Sequence, residues 1–64
     1  MNFFIAELDD GFAILELPER ATPTDIAAEI GGTVADEGPF ATFEDASDAM
    51  AELEEETYGA DRNA

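Results

Sequence analysis

Phe3-Phe4-Ile5-Ala6-Glu7-Leu8 and Phe12-Ala13-Ile14-Leu15-Glu16-Leu17, joined by Asp9-Asp10-Gly11, form the stretch whose reading settles the architecture. Aromatic, β-branched and aliphatic residues dominate both runs, and an acidic-glycine triplet separates them, so the segment predicts a β-hairpin. With Asp10-Gly11 as a two-residue turn, Asp9 faces Phe12 and Phe4 faces Leu17. Phe4, Ala6, Leu8, Ala13, Leu15 and Leu17 then share one wholly apolar face. Phe3, Ile5, Glu7, Phe12, Ile14 and Glu16 share the other. A three-residue loop over Asp9 to Gly11 would mix Glu7 and Glu16 between the faces. The two-residue register gives the cleaner core.

Pro18 ends the hairpin, and Thr22-Pro23-Thr24-Asp25 reads as a helix start: a threonine cap, proline at the first helical position and an acid three after the cap. Ile26, Ala27 and Ile30 make a short apolar stripe, and Gly31-Gly32 stops the helix. Thr33 to Ala35 is a weak strand, Asp36-Glu37-Gly38-Pro39 a turn, and Phe40 to Phe43 a short strand. A second helix follows, capped by Thr42 with Asp45 completing the pattern, and Gly59 follows its last turn. Phe43, Ala46, Ala49, Met50, Leu53 and Thr57 fall on one side of it, and Glu44, Asp45, Asp48, Glu52, Glu55 and Glu56 on the other. Glu54 lies off that acidic arc. These elements predict an α+β domain in ββαβα order over residues 1–59, with 60–64 as a frayed tail. Its small antiparallel sheet is the hairpin plus a short third strand, and two helices pack on it in a two-layer arrangement.

The charge is the second decisive feature. The 64 residues hold 17 acids against two arginines, Arg20 and Arg62, for a formal net charge of −15. Nucleic acid and anionic membranes are excluded as direct partners, since binding them takes cationic side chains. The 45% hydrophobic content is that of a folded domain. A chain this short rarely gains more than about 3–5 kcal/mol from its core, so a partner, a second copy (a homodimer) or screening salt is expected to add stability. The opening residues lack the cationic start of a signal peptide, and no run approaches membrane-spanning length, so a cytoplasmic protein is expected.

Catalytic and metal chemistry find little to work with. The chain has no histidine, cysteine or lysine, so the usual bases, nucleophiles and soft metal ligands are missing. Ser47 has no base partner. An enzyme is not expected, nor is a cofactor. Asp9-Asp10-Gly11 resembles the middle of a calcium loop. With Gly11 at its sixth position, however, the first, third and twelfth ligands would be Ala6, Leu8 and Leu17, so no metal site is assigned.

The acids of the second helix are placed against the helix's own interest. Glu44 and Asp48, Asp48 and Glu52, and Glu52 and Glu56 are like-charge pairs four apart, each destabilising by about 0.2–0.5 kcal/mol. Glu54, Glu55 and Glu56 face the negative end of the helix dipole. Such conflicts are expected mainly at functional sites. Seven acids from Glu44 to Glu56 span roughly 18 Å at about 1.5 Å per residue. That is about one charge per 2.6 Å, between roughly 3.4 Å for one DNA strand and 1.7 Å for both. The expected function is therefore mimicry: Glu44, Asp45, Asp48, Glu52, Glu55 and Glu56 engage a basic nucleic-acid-binding protein or ribonucleoprotein and block it. Glu7, Asp9, Asp10 and Glu16 are secondary contact candidates. Phe3, Phe12, Ile14 and Tyr58, outside the expected core, are apolar anchors. Acid-rich, lysine-free composition also fits a halophilic protein, for which the acidic helix is a solvated face.

By its size, charge and acidic helix Glu44–Glu56, the chain resembles small inhibitors that phages and mobile elements make against host nucleases, the DNA-mimicking anti-restriction proteins and acidic anti-CRISPR proteins. That resemblance implies binding to a nucleic-acid-handling defence complex in the host cytoplasm. Leu8-Asp9-Asp10-Gly11-Phe12-Ala13 and Thr42-Phe43-Glu44-Asp45-Ala46-Ser47-Asp48-Ala49 also look similar to two places in HicB-type antitoxins. There the chain departs at Pro18-Glu19-Arg20, which lacks the Pro-Gly-Cys continuation, and at the intervening helix Pro23–Ile30. An antitoxin would bind a basic RNA-cleaving toxin.

Overall fold

Asp9 and Asp10 close the hairpin. In the computed structural model, which describes residues 2–56, β1 (Asn2–Leu8) pairs antiparallel with β2 (Gly11–Leu17), and Leu8 faces Gly11. The turn thus lies one residue earlier than the Asp10-Gly11 dipeptide suggests, and every pairing moves by two residues. Because side chains alternate with period two, both faces keep their expected members. The physical gain lies across the strands. The expected pairing sets Ile5 against Glu16 and Glu7 against Ile14, whereas the observed one sets Ile5 against Ile14, Ala6 against Ala13 and Phe4 against Leu15. Asp9 and Asp10 need no positive φ, which falls instead to Gly11 at 137°.

Both helix starts form as the sequence predicts. Thr22 caps α1 (Pro23–Glu29) and accepts from the Asp25 N–H at 3.3 Å; Thr42 caps α2 (Phe43–Glu54) and accepts from the Asp45 N–H at 3.1 Å. At the far end of α1, the Gly31 N–H reaches the Ala28 carbonyl and the Gly32 N–H the Ala27 carbonyl, a Schellman closure. That closure takes Ile30 off the helix. It becomes the C-cap and is 47% exposed, where the apolar stripe would bury it.

The third strand differs most from expectation. Thr33 to Phe40 is one strand, β3, rather than two short strands around a turn, and Phe43 is already helical. β3 pairs antiparallel with β1 and gives the order β2-β1-β3. The stretch Phe3 to Ala6 of β1 is matched by the longer stretch Val34 to Phe40, so β3 is bulged at two places. The turn signals are real but act inside the strand. Asp36 Oδ1 accepts from the Gly38 N–H at 3.1 Å, Gly38 takes φ 63°, and the Gly38–Pro39 peptide is cis. An edge strand tolerates such residues because its outer groups need no partner strand.

The helices lie on opposite faces of the sheet, which corrects the expected two-layer packing. Phe4 and Ile5 are consecutive on the central strand and both 0% exposed. Neighbouring residues of a strand point to opposite faces, so each face is covered. On one, Ala27 of α1 joins Phe4 and Ala6 in a buried cluster, with Leu15, Leu17, Ile26 and Val34 packed around it. On the other, Ala46 of α2 is fully buried, and Phe43 meets Phe3 edge to face, ring centroids 6.1 Å apart at 87°. α1 lies chiefly over β3, whereas α2 crosses all three strands.

Candidate functional site

The acidic face of α2 is built by its own packing. Ala46 is buried, and Ala49, Met50 and Leu53 are half-buried against the sheet. Turning that apolar stripe inward leaves Glu44, Asp45, Asp48 and Glu52 exposed on the outside, and Glu55 and Glu56 continue the row, also exposed. Glu54, read as lying off the acidic arc, is exposed too and belongs with the others. Seven carboxylates therefore line residues 44–56, whereas α1 on the opposite face carries only Asp25 and Glu29.

The secondary candidates divide by position. Glu7 and Glu16 are exposed and, by strand alternation, stand on the same side of the sheet as α2. Asp9 and Asp10 are exposed at the hairpin turn. The proposed anchors Phe3, Phe12 and Ile14 are half-buried rather than outside the core, because the face that carries them is the one α2 covers. Tyr58 lies outside the described residues, as do Thr57, Gly59 and the tail 60–64. Phe43, read as lying on the apolar side of the second helix, is 59% exposed at the start of the acidic row. Its i, i+3, i+7 spacing with Ala46 and Met50 sets it on the packed side; its edge-to-face contact with Phe3 still leaves most of it exposed.

No charged or polar residue is buried among the described residues, and none of their acids cluster in a group able to hold a metal ion. None of their helices is long and apolar enough to cross a membrane. Carboxylates on this surface can attract cations, accept hydrogen bonds from guanidinium and ammonium groups, and repel polyanions. No protein-family model, curated protein or solved structure matches the chain.

Proposed function

We propose that the protein is a non-enzymatic inhibitor that carries a nucleic-acid-like row of charge and occupies the cationic surface of a protein or ribonucleoprotein, of the kind found in anti-CRISPR and anti-restriction systems. The observation that carries this reading is the row itself: seven exposed carboxylates over residues 44–56, on a helix whose opposite side is packed against a sheet. A rigid backing holds the charges in place, so little ordering entropy is lost on binding. Phe43, exposed beside Glu44, is positioned to supply an apolar contact at one end.

Competition is the test. A basic nucleic-acid-binding protein retained from host extract should release this chain when DNA or RNA is added in excess, and should bind it less tightly as salt rises. Association that survives excess nucleic acid, or that tightens with salt, overturns the reading. One observation favours a second reading, halophilic adaptation: exposed acids also occur away from α2, at Asp9, Asp10, Glu19, Asp25, Glu29 and Glu37. A halophilic chain of this charge unfolds in dilute buffer and folds as salt is added.

A further inference from the structure

The first turn of α2 and the adjoining end of the sheet leave one aromatic ring in the open among acids. Phe43 is mostly exposed, and Ile30 is the other large hydrophobic side chain exposed among the described residues. Ile30 is the C-cap of α1, on the other side of the sheet; Phe43 begins the acidic row. The Phe43 ring meets Phe3 nearly at a right angle. In an edge-to-face pair one ring turns its edge to the other's face, so Phe3 takes at most one of the two faces of Phe43. Carboxylates adjoin both members of the pair. Glu44 follows Phe43 on the helix, and Glu16 stands directly across from Phe3 on β2, on the side of the sheet that α2 covers; both acids are exposed. Opposed residues of neighbouring strands have Cβ atoms about 4.5–5.5 Å apart, which sets Glu16 beside Phe3.

We infer that Phe43 is a stacking platform for an arginine side chain of the inhibited partner, whose guanidinium lies on the ring and donates to the carboxylates beside it. That the occupant is a cation rests on the reading of α2 given above; that it is arginine rests on the ring. An apolar side chain docked here would strip water from the neighbouring carboxylates and give them nothing to bond. Lysine answers the charge, but its compact ammonium is strongly hydrated and cannot lie flat on a ring. A guanidinium is planar and weakly hydrated, and it stacks on an aromatic face while its edge donates to a carboxylate. The helix dipole puts a partial positive charge at the start of α2, and Glu44 and Asp45 in the first turn outweigh it. Arg20, the one cationic side chain among the described residues, lines a groove with Asn2, Leu17 and Ala21 and makes no contact with Phe43. The guanidinium therefore comes from another molecule. The acidic row supplies attraction to either cation, and Phe43 at its end discriminates between them.

The test titrates this chain at low salt with two short capped peptides, one all arginine and one all lysine. Both should bind, since the row attracts either. By NMR, the arginine peptide should give nuclear Overhauser contacts between its side chains and the Phe43 ring, and the lysine peptide should give none. Phe43→Leu keeps apolar bulk against Phe3 and removes the aromatic face. It should lower affinity for the arginine peptide about threefold, the scale of one exposed cation–π contact, and leave that for the lysine peptide unchanged. The ring contacts are read on the unaltered chain, so a folding defect in the variant does not remove the test. If both peptides touch the ring alike, or if Phe43→Leu leaves the arginine preference as it was, the platform is wrong while the acidic row stands. If neither peptide binds, the reading of α2 fails and the inference falls with it. If the arginine peptide stacks on Phe43 but excess nucleic acid does not displace the chain from its natural partner, the platform is upheld and the inhibitor reading falls.

Discussion

At position 38 two constraints coincide. Gly38 has φ 63°, and a Cβ placed there would lie 2.6 Å from the Phe40 backbone nitrogen and 2.8 Å from its Cδ2. At Gly11 φ is 137°, yet nothing lies within 4 Å of the same added atom. Both alanine substitutions bring backbone strain of order 1–3 kcal/mol, and Gly38→Ala adds a clash that the bulged strand must shift to relieve. Urea denaturation should rank Gly38→Ala as the more damaging; equal losses would mean that Phe40 yields without cost. The residue scale also explains the misplaced turn. The dipeptide rule weighs Asp10-Gly11 alone and is blind to Ile5 meeting Ile14, a cross-strand contact that decides the register.

Among elements, the helix starts, and the close of α1, were legible because they are written locally. Each has a threonine hydroxyl accepting from the N–H three residues on, and α1 closes on a glycine pair. Thr22→Ala and Thr42→Ala should each cost about 1 kcal/mol, read from the denaturation midpoint. β3 was not legible, since Asp36, Gly38 and Pro39 give the same signals whether they reverse the chain or kink an edge strand, and only pairing with β1 separates the two cases. For α2, lysine in place of Glu52, Glu55 and Glu56 removes repulsion and suits the helix dipole. Such a variant should melt at higher temperature and, on the inhibitor reading, bind a basic nucleic-acid-binding protein more weakly. Higher stability with binding unchanged would move the contact to Glu7, Asp9, Asp10 and Glu16.

On the scale of the molecule, the sequence showed one wholly apolar hairpin face and a second that mixes Phe and Ile with Glu7 and Glu16, but not what covers them. Phe3, Ile5, Phe12 and Ile14 look like a surface awaiting a partner until α2 is seen to cross it. Which face a helix takes depends on how the bend at Ala41-Thr42 aims the chain after the bulged strand, a long-range matter that local pattern does not encode. Placement of the acidic row was better determined, because any face that receives Ala46, Ala49, Met50 and Leu53 turns Glu44, Asp48 and Glu52 outward. Circular dichroism against salt concentration tests the whole. The inhibitor reading expects full helical signal in dilute buffer; a signal that emerges only with added salt favours the halophile.

One helix on each side of the sheet, bearing such unequal numbers of carboxylates, displaces the centre of charge from the centre of mass. The electric field outside a cationic surface therefore exerts a torque as well as a pull. The molecule would arrive already rotated, α2 leading and α1 trailing, before any atom touches.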